Sequence, residues 1–327
     1  MNSAGLQRRW YTPSAAPAWW TRPLAALYGG VTAMRRWMYR RGWLRSERLP
    51  VPVIVVGNVV AGGAGKTPLT IALLQALRER GFKPGVVSRG YGGSAREPML
   101  LDAQSDPRVV GDEPALIRIR TGAPVAIAAK RVEAARLLLK SGVDVIVADD
   151  GLQHYALARD VEICVVDGVR RFGNERLLPA GPLREPLSRL RQVDFVVCNG
   201  DDAHDGEIPM RLVLADAVNI TAPARTLQLD EFVGKRTHAI AGIGNPQRFF
   251  DALRNLGVDV VEHPFPDHCR YVSSDFAFND GMPVLMTEKD AVKCRAFAHD
   301  DWWAVPITAE LPASFFDAVA RRTRSPR

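Results

Sequence analysis

The sequence predicts an α/β protein: a doubly wound, mostly parallel sheet, a second and smaller α/β unit after it, and an amphipathic helix ahead of both. Three observations carry this. From residue 51 onward, short β-branched apolar runs alternate with helical stretches, as parallel βαβ units require. The alternation weakens over 200–225 and then resumes, which divides the chain. The first 50 residues differ in composition from the rest: they hold five of the seven tryptophans (10, 19, 20, 37 and 43) and nine arginines against one acid, Glu47.

In the N-terminal segment, Leu24, Leu27, Val31, Met34 and Met38 recur at helical spacing with Tyr28 beside them, while Arg36 and Arg40 fall off that stripe. Pro23 suits a first helical turn, and Gly29-Gly30 weakens the helix by about 1 kcal/mol per glycine. Two readings fit: a helix lying in a bilayer interface, or one packed on the protein's own core with basic flanks. A nucleic-acid-binding arm fits less well, because the segment is rich in aliphatics.

The strand Val53–Val56 then runs through a glycine-rich turn into a helix over 70–80. Strand, glycine loop and helix N-terminus in that order form a phosphate cradle: glycines let backbone N–H groups approach the anion, and the helix dipole favours it. The loop reads Gly62-Gly63-Ala64-Gly65-Lys66-Thr67. Lys66 is placed to reach the outer phosphates of ATP and the Thr67 hydroxyl to ligate Mg²⁺. The strict form of this motif has glycine where this chain has Val60, so the loop is of the deviant GG-x-GKT kind in a P-loop NTPase-type sheet.

Further strands are expected at 84–88, running into the loop 88–93, at 123–128, at 143–148, running into Asp149-Asp150-Gly151, and at 161–166 and 193–198. A helix is expected over 130–140, stopped by Ser141-Gly142. In doubly wound sheets ligands bind at the carboxyl ends of strands, where the loops 57–67, 88–93 and 149–154 would meet. Strand-like pieces follow near 211–215 and 226–229. The second unit then reads as a strand from 237, a helix over 247–256, strands at 258–261 and 283–287, and a final helix over 309–321. The expected organisation is a basic, tryptophan-rich segment over 1–48, a phosphate-binding domain over 49–215, and a smaller domain over 216–327 that closes over the site.

The totals narrow the class. A 47% hydrophobic content supplies ample core. Residues 1–50 carry +8 by side chains against a chain total of +7, so the rest is close to neutral and any pull toward anionic partners is local. No apolar window reaches transmembrane length, and no signal-peptide pattern opens the chain. Cys164, Cys198, Cys269 and Cys294 form no C-x-x-C pair, which points away from a disulfide framework and toward a reducing compartment.

Several residues could carry chemistry. Asp149-Asp150 closes a buried strand, the usual place for carboxylates that hold Mg²⁺, although Asp-Asp-Gly also makes a solvated turn. Asp112, in Gly111-Asp-Glu-Pro114, is either a charge at a helix N-terminus or a catalytic base. The cluster His263 to His268-Cys269 offers a thin zinc set or an Asp267-His268 proton-transfer pair. Arg184-Glu185 is either a helix start or an arginine near phosphate. Thr287-Glu-Lys-Asp290 has its lysine in the third position, which sets it apart from guanine-reading motifs.

Together these stretches resemble the tetraacyldisaccharide 4'-kinase family, the lipid A 4'-kinases. The resemblance runs through Arg48 to Asn58, Gly62 to Pro68, Ser88 to Gly93, Gly111 to Pro114, Asp149 to His154, Leu177 to Pro186, Phe265 to His268 and Thr287 to Asp290. It implies MgATP-dependent phosphorylation of the 4'-hydroxyl of a tetraacylated glucosamine disaccharide 1-phosphate. It also implies an enzyme on the cytoplasmic face of the inner membrane, with residues 1–48 on the anionic lipid surface and no nucleic-acid partner. Carried over residue by residue, it implies Asp112 as base with His268, and Lys66 on the phosphates. Asn58, Gly62, Gly63, Ala64, Gly65, Thr67, Pro68, Arg184 and Glu185 would surround the nucleotide, and Thr67, Asp149 and Asp150 the metal. Family members often carry a second histidine where this chain has Cys269. A rival reading is a deviant-loop ATPase that switches protein partners.

Overall fold

The computed structural model describes residues 9–12, 16–278 and 280–325, so Arg8 of the arginine-rich segment lies outside the described residues. In chain order the elements begin with α1 (Thr21–Arg40), β1 (Val53–Gly57), α2 (Lys66–Glu79), β2 (Pro84–Ser88), β3 (Met99–Leu100), α3 (Pro107–Val110) and α4 (Asp112–Thr121). They continue with β4 (Val125–Ile127), α5 (Arg131–Leu139), β5 (Val145–Asp149), β6 (Val161–Asp167), β7 (Phe195–Asn199), β8 (Ile208–Leu214), β9 (Ala217–Asn219) and β10 (Thr226–Leu227). The chain closes with β11 (Arg236–Ala241), α6 (Pro246–Asn255), β12 (Asp259–Pro264), β13 (Val284–Thr287), α7 (Glu288–Cys294), β14 (Trp302–Val305), β15 (Ile307–Glu310) and α8 (Ala313–Arg324).

The described strands form a nine-stranded sheet, order β15-β8-β7-β6-β1-β5-β2-β4-β3, and a six-stranded sheet, order β10-β9-β14-β13-β11-β12. The larger sheet is parallel from β8 to β4, with antiparallel edges at β15 and β3. β1 sits centrally between β5 and β6, and its five residues are all buried, as a strand covered on both faces must be. Alternate residues feed two cores: Ile54 and Val56 face one, Val53 and Val55 the other. Because β1, β5 and β2 are neighbours, the loops after them open side by side at one edge.

The end of the chain departs from the expected pattern. Residues 307–310 form a strand rather than the start of a helix, and pair antiparallel with β8. Pro312 explains the break: it keeps Leu311 out of the helical region, so α8 begins only at Ala313. The boundary of a smaller domain at 216–327 is corrected with it. β15 extends the larger sheet, and Phe315 and Val319 of α8 are buried in that sheet's core, the Phe315 ring 5.5 Å from Phe195. The smaller unit is thus bracketed by segments of the larger one.

Helix α1 is turned outward. Leu24, Leu27, Val31, Met34 and Trp37 are 44–66% exposed, and Thr21 is its one buried residue. Its polar edge holds it to the body: Tyr28 Oη donates to the Arg184 carbonyl at 3.0 Å, Arg35 to the Gln153 carbonyl at 3.4 Å, and Arg40 to Gln192 at 2.5 Å. Arg36 pairs with Glu185 at 3.6 Å. The reading in which the apolar stripe packs on the protein's own core is therefore overturned. No described helix is long and apolar enough to cross a membrane.

If α8 belongs to the larger core, Phe315→Ala should cost about 3–5 kcal/mol of stability in urea unfolding, the range for a buried phenylalanine. Leu27→Ser, on the exposed stripe, should change it by less than about 0.5 kcal/mol.

Candidate active site

The loops that deliver Lys66 and Asp112 have backbones that explain their composition. Gly65 caps α2 from a left-handed conformation, φ 94°. A Cβ there would stand 2.7 Å from Asn199 Nδ2, so both the angle and the space demand glycine. Asn199, at the end of β7, donates to the Ala64 carbonyl at 3.1 Å and so braces the loop from behind. Arg170 also bonds the Gly63 carbonyl from outside. Gly111, φ 92°, starts α4 from a point where a Cβ would sit 2.7 Å from the Tyr91 carbonyl. Ser94 and Ala95 N–H bond the Arg108 and Val109 carbonyls. The loop after β2 therefore lies backbone on backbone against the loop that delivers Asp112.

Lys66 lies in the first turn of α2, its ammonium 3.3 Å from Asn58 Oδ1 and 3.6 Å from Asp150. Asn58 is buried and its amide donates to the Gly62 carbonyl at 3.2 Å. Both ends of that side chain are committed, so Asn58 shapes the loop and aims Lys66. Pro68, in the same turn, has no N–H to offer an anion and suits the start of the helix.

The acid pair is split between two environments. Asp149 is buried at the end of β5 and accepts from Thr70 Oγ1 at 3.3 Å. Burial, with Glu113 and Asp150 nearby, pushes its carboxyl well above the usual range. Asp150, at φ 47°, receives both bonds of Arg184 Nη1 at 3.0 Å. Burial alone would raise it, but Lys66 and Arg184 hold it below its ordinary value. Two carboxylates and the Thr67 hydroxyl are hard oxygen donors beside one helix N-terminus. That set fits Mg²⁺, which takes one or two carboxylates and keeps water and phosphate oxygens for the rest. The raised Asp149 points the same way, since crowded buried acids are relieved by a dication.

Glu185 is turned away from the loop. It is buried and takes bonds from Tyr155 Oη and from Gln153 Nε2 (3.4 Å), with Arg189 and Arg36 each at 3.6 Å. Gln153 also donates to the Asn58 carbonyl at 3.1 Å. Glu185 therefore supports the end of β1 through Gln153, with its oxygens taken by protein partners.

Asp112 opens α4 at 5% exposure, and His268 comes to it from the smaller unit, Nδ1 lying 3.2 and 3.1 Å from the two carboxylate oxygens. His268 adopts φ 60°, and its ring meets Tyr91 edge-on at 5.1 Å. The Asp112 hydrogen bond raises the imidazole above its ordinary value, against burial and the repulsion of Lys289. Burial would raise the Asp112 carboxyl, but His268 and Lys289 outweigh it and keep it low. His263 goes elsewhere, to His238 Nδ1 at 2.9 Å, so no zinc set forms with His268. Cys269 lines the open cleft beside the pair, with Arg108, Arg270 and Lys293.

Sequence reasoning missed Thr70, Asn199 and Lys289. Lys289 lay in the Thr287–Asp290 stretch, and the structure shows how that stretch aims it. Asp290, fully buried, accepts from Thr287 Oγ1 at 2.6 Å, Gly242 N at 2.8 Å and Tyr271 Oη at 2.9 Å. Its oxygens are spent inside the fold, and Lys289 is left pointing at Asp112, 3.7 Å away. Arg131, buried and with its Nε unpartnered, adds an unexpected cation 3.4 Å from the Asp150 carbonyl.

The profile of a family described as tetraacyldisaccharide-1-P 4'-kinase matches residues 17–324. The chain is 54% identical over 323 residues to a tetraacyldisaccharide 4'-kinase of Stenotrophomonas maltophilia, covering 96% of this chain and 95% of that one. It is 53% identical over 332 residues to that of Xanthomonas euvesicatoria pv. vesicatoria, covering 96% and 94%. Its fold is similar to the crystal structure of the "apo" form of LpxK from Aquifex aeolicus in complex with ATP. That match has a TM-score of 0.79 at 28% identity and covers 92% of this chain and 98% of that one.

The loop geometry separates two glycines that look alike in the sequence. Gly65→Ala should weaken equilibrium binding of a nucleoside triphosphate at least about tenfold, or 1.4 kcal/mol. Gly63→Ala, whose Cβ meets nothing within 4 Å, should bind within about threefold of the parent.

Proposed function

This chain belongs to the tetraacyldisaccharide-1-P 4'-kinase family, and from that premise we propose how its own residues carry the reaction. It is an ATP- and Mg²⁺-dependent kinase of lipid A biosynthesis, a phosphotransferase acting on a tetraacylated disaccharide. A partner-switching ATPase is set aside by that membership.

Lys66 and the amides of Gly62–Thr67 would hold the β- and γ-phosphates. Thr67 and Asp149 would hold Mg²⁺, with Asp150 joining once Lys66 turns to phosphate. Bound there, the ion supplies charge neutralisation to the transferring phosphoryl group. Arg184 stays beside the acids as a second positive charge. Asp112 accepts the proton of the sugar 4'-hydroxyl at a carboxylate oxygen. His268, donating from Nδ1, orients that carboxylate and keeps it ionised and ready to accept. A low-pKa base is adequate, because the loose transition state of phosphoryl transfer asks for little deprotonation early on. The single observation that carries this reading is the bond from Asp112 of the larger unit to His268 of the smaller one. With that bond the Asp112 carboxylate lies in the cleft between the units, a position that supports its role as proton acceptor because closure there would exclude water.

The outward stripe of α1 supports a seat on an anionic bilayer surface at the cytoplasmic face of the inner membrane. Apolar side chains enter the interface, and neighbouring arginines meet lipid phosphate. That seat would present the acylated substrate to the cleft without its leaving the membrane.

Label from γ-labelled ATP should pass to an acylated glucosamine disaccharide 1-phosphate in detergent. Asp112→Asn should slow that transfer at saturating substrate at least about a hundredfold. A rate within about threefold of wild type would remove Asp112 as the base. The triple change of Leu27, Val31 and Met34 to serine should cut partition onto phosphatidylglycerol vesicles at least about tenfold, and unchanged sedimentation with the vesicles would refute the membrane seat.

A further inference from the structure

Lys289 sits where the two units meet, 16% exposed, with three carboxylates around its ammonium: Asp267 at 3.0 Å, Glu113 at 3.4 Å and Asp112 at 3.7 Å. Asp112 and Glu113 belong to α4 of the larger unit, whereas Asp267 belongs to the loop of the smaller unit that carries His268. We propose that Lys289 is a positioning residue for phosphoryl transfer, a latch whose charge holds the His268 loop against α4 and keeps the Asp112 carboxylate in place. The inference rests on the reading of Asp112 as base.

The connections are short and consecutive. Lys289 Nζ binds Asp267 Oδ1, and the same oxygen accepts the His268 backbone N–H at 3.1 Å. His268 holds φ 60°, a left-handed conformation that a residue with a side chain keeps only where its surroundings demand it. The lysine therefore acts on His268 through Asp267 and on Asp112 directly. Its own aim is rigid, since α7 is capped by Thr287 and anchored by Asp290. Beside it, Arg120 of α4 pairs with Glu288 at 2.6 Å, which docks the same two helices. Without the lysine, Asp112, Glu113 and Asp267 would repel one another across the cleft.

This is more than a surface ion pair. Such pairs contribute little, but an ammonium at this depth that serves three acids is replaced by no solvent ion of fixed position. Its charge also bears on both partners of the catalytic pair: it helps keep the Asp112 carboxyl low, and it opposes the rise that Asp112 imposes on His268. The other charges facing the pair are Lys293 on α7, Glu113 on α4, Asp267, and Arg108 and Arg270 at the cleft, and all of these remain when Lys289 is replaced. Loss of the positive charge moves both groups upward, so the sign of the effect is the same whichever of them limits the rate.

The test compares Lys289→Gln and Lys289→Arg in the full-length enzyme, reading kcat against pH and the KM for ATP. In parallel, the His268 ring is titrated by NMR, which needs no turnover. K289Q should shift the acid limb of kcat and the His268 titration to higher pH by about one unit, and lower kcat about tenfold, with the ATP KM within about threefold. K289R, which keeps the charge, should hold both titrations within about 0.3 unit of wild type. If K289Q is poorly folded, K289R and the NMR titration of the remaining soluble fraction still decide. The proposal is overturned if K289Q overlays wild type in both titrations, or if K289R shifts as K289Q does. Asp112→Asn in the same series keeps the two readings apart. An active D112N removes the base while the His268 titration still reports on the latch. An inactive D112N with unshifted K289Q removes the latch alone.

Discussion

The bond between Asp112 and His268 spans two α/β units, each with its own core, and much of the architecture exists to let those side chains meet. A carboxylate that must be buried, ionised and still reachable cannot be built on one smooth surface. Here α4 starts in the cleft because Gly111 lets the loops after β2 and α3 touch backbone to backbone. The smaller unit supplies the imidazole from a loop held in a left-handed turn. Burial works against the Asp112 charge, and the cations around it are what keep that charge in place.

The phosphate loop shows a similar economy. Its glycines give the backbone freedom, but freedom alone would leave the loop shapeless. Asn199 and Arg170 hold its carbonyls from outside, and Asn58 ties Gly62 to Lys66 from within. Behind Asn58 stands a buried set in which Gln153 joins it to Glu185. The same Glu185 receives Arg36, and the Arg184 carbonyl receives Tyr28, so the outward helix α1 is fastened to the residues that flank the acid pair. The outward apolar helix and the phosphate loop thus share supports.

Helix α1 reverses the usual arrangement of an amphipathic helix. Tyr28, Arg35, Arg36 and Arg40 bond the body, while Leu24, Leu27, Val31 and Met34 face outward. Water offers no reward for that exposure. A lipid interface does, because each buried methylene there contributes about 0.8 kcal/mol. Hydrogen bonds and one ion pair then suffice to fix its orientation on the protein.

Local chemistry made most of the fold readable from the chain. Apolar runs of strand length, glycine turns and helical periodicity identified the parallel sheet, the phosphate loop and the acid pair at the end of β5, because each depends on neighbours in sequence. Motif order pointed to Asp112 and His268 as well, though spacing could not show that they touch across 156 positions. The tertiary structure decided what depends on distant partners. It returned 307–324 to the larger sheet, since edge pairing with β8 and a place for Phe315 exist only once that sheet is built. It turned Glu185 inward and Asn58 behind the loop, because a carboxylate or an amide reads alike in sequence whether it meets ligand or protein. It also placed Lys289 among three acids from two units, a site with no local signature, because the field that gives a lysine its role is summed over space and not along the chain.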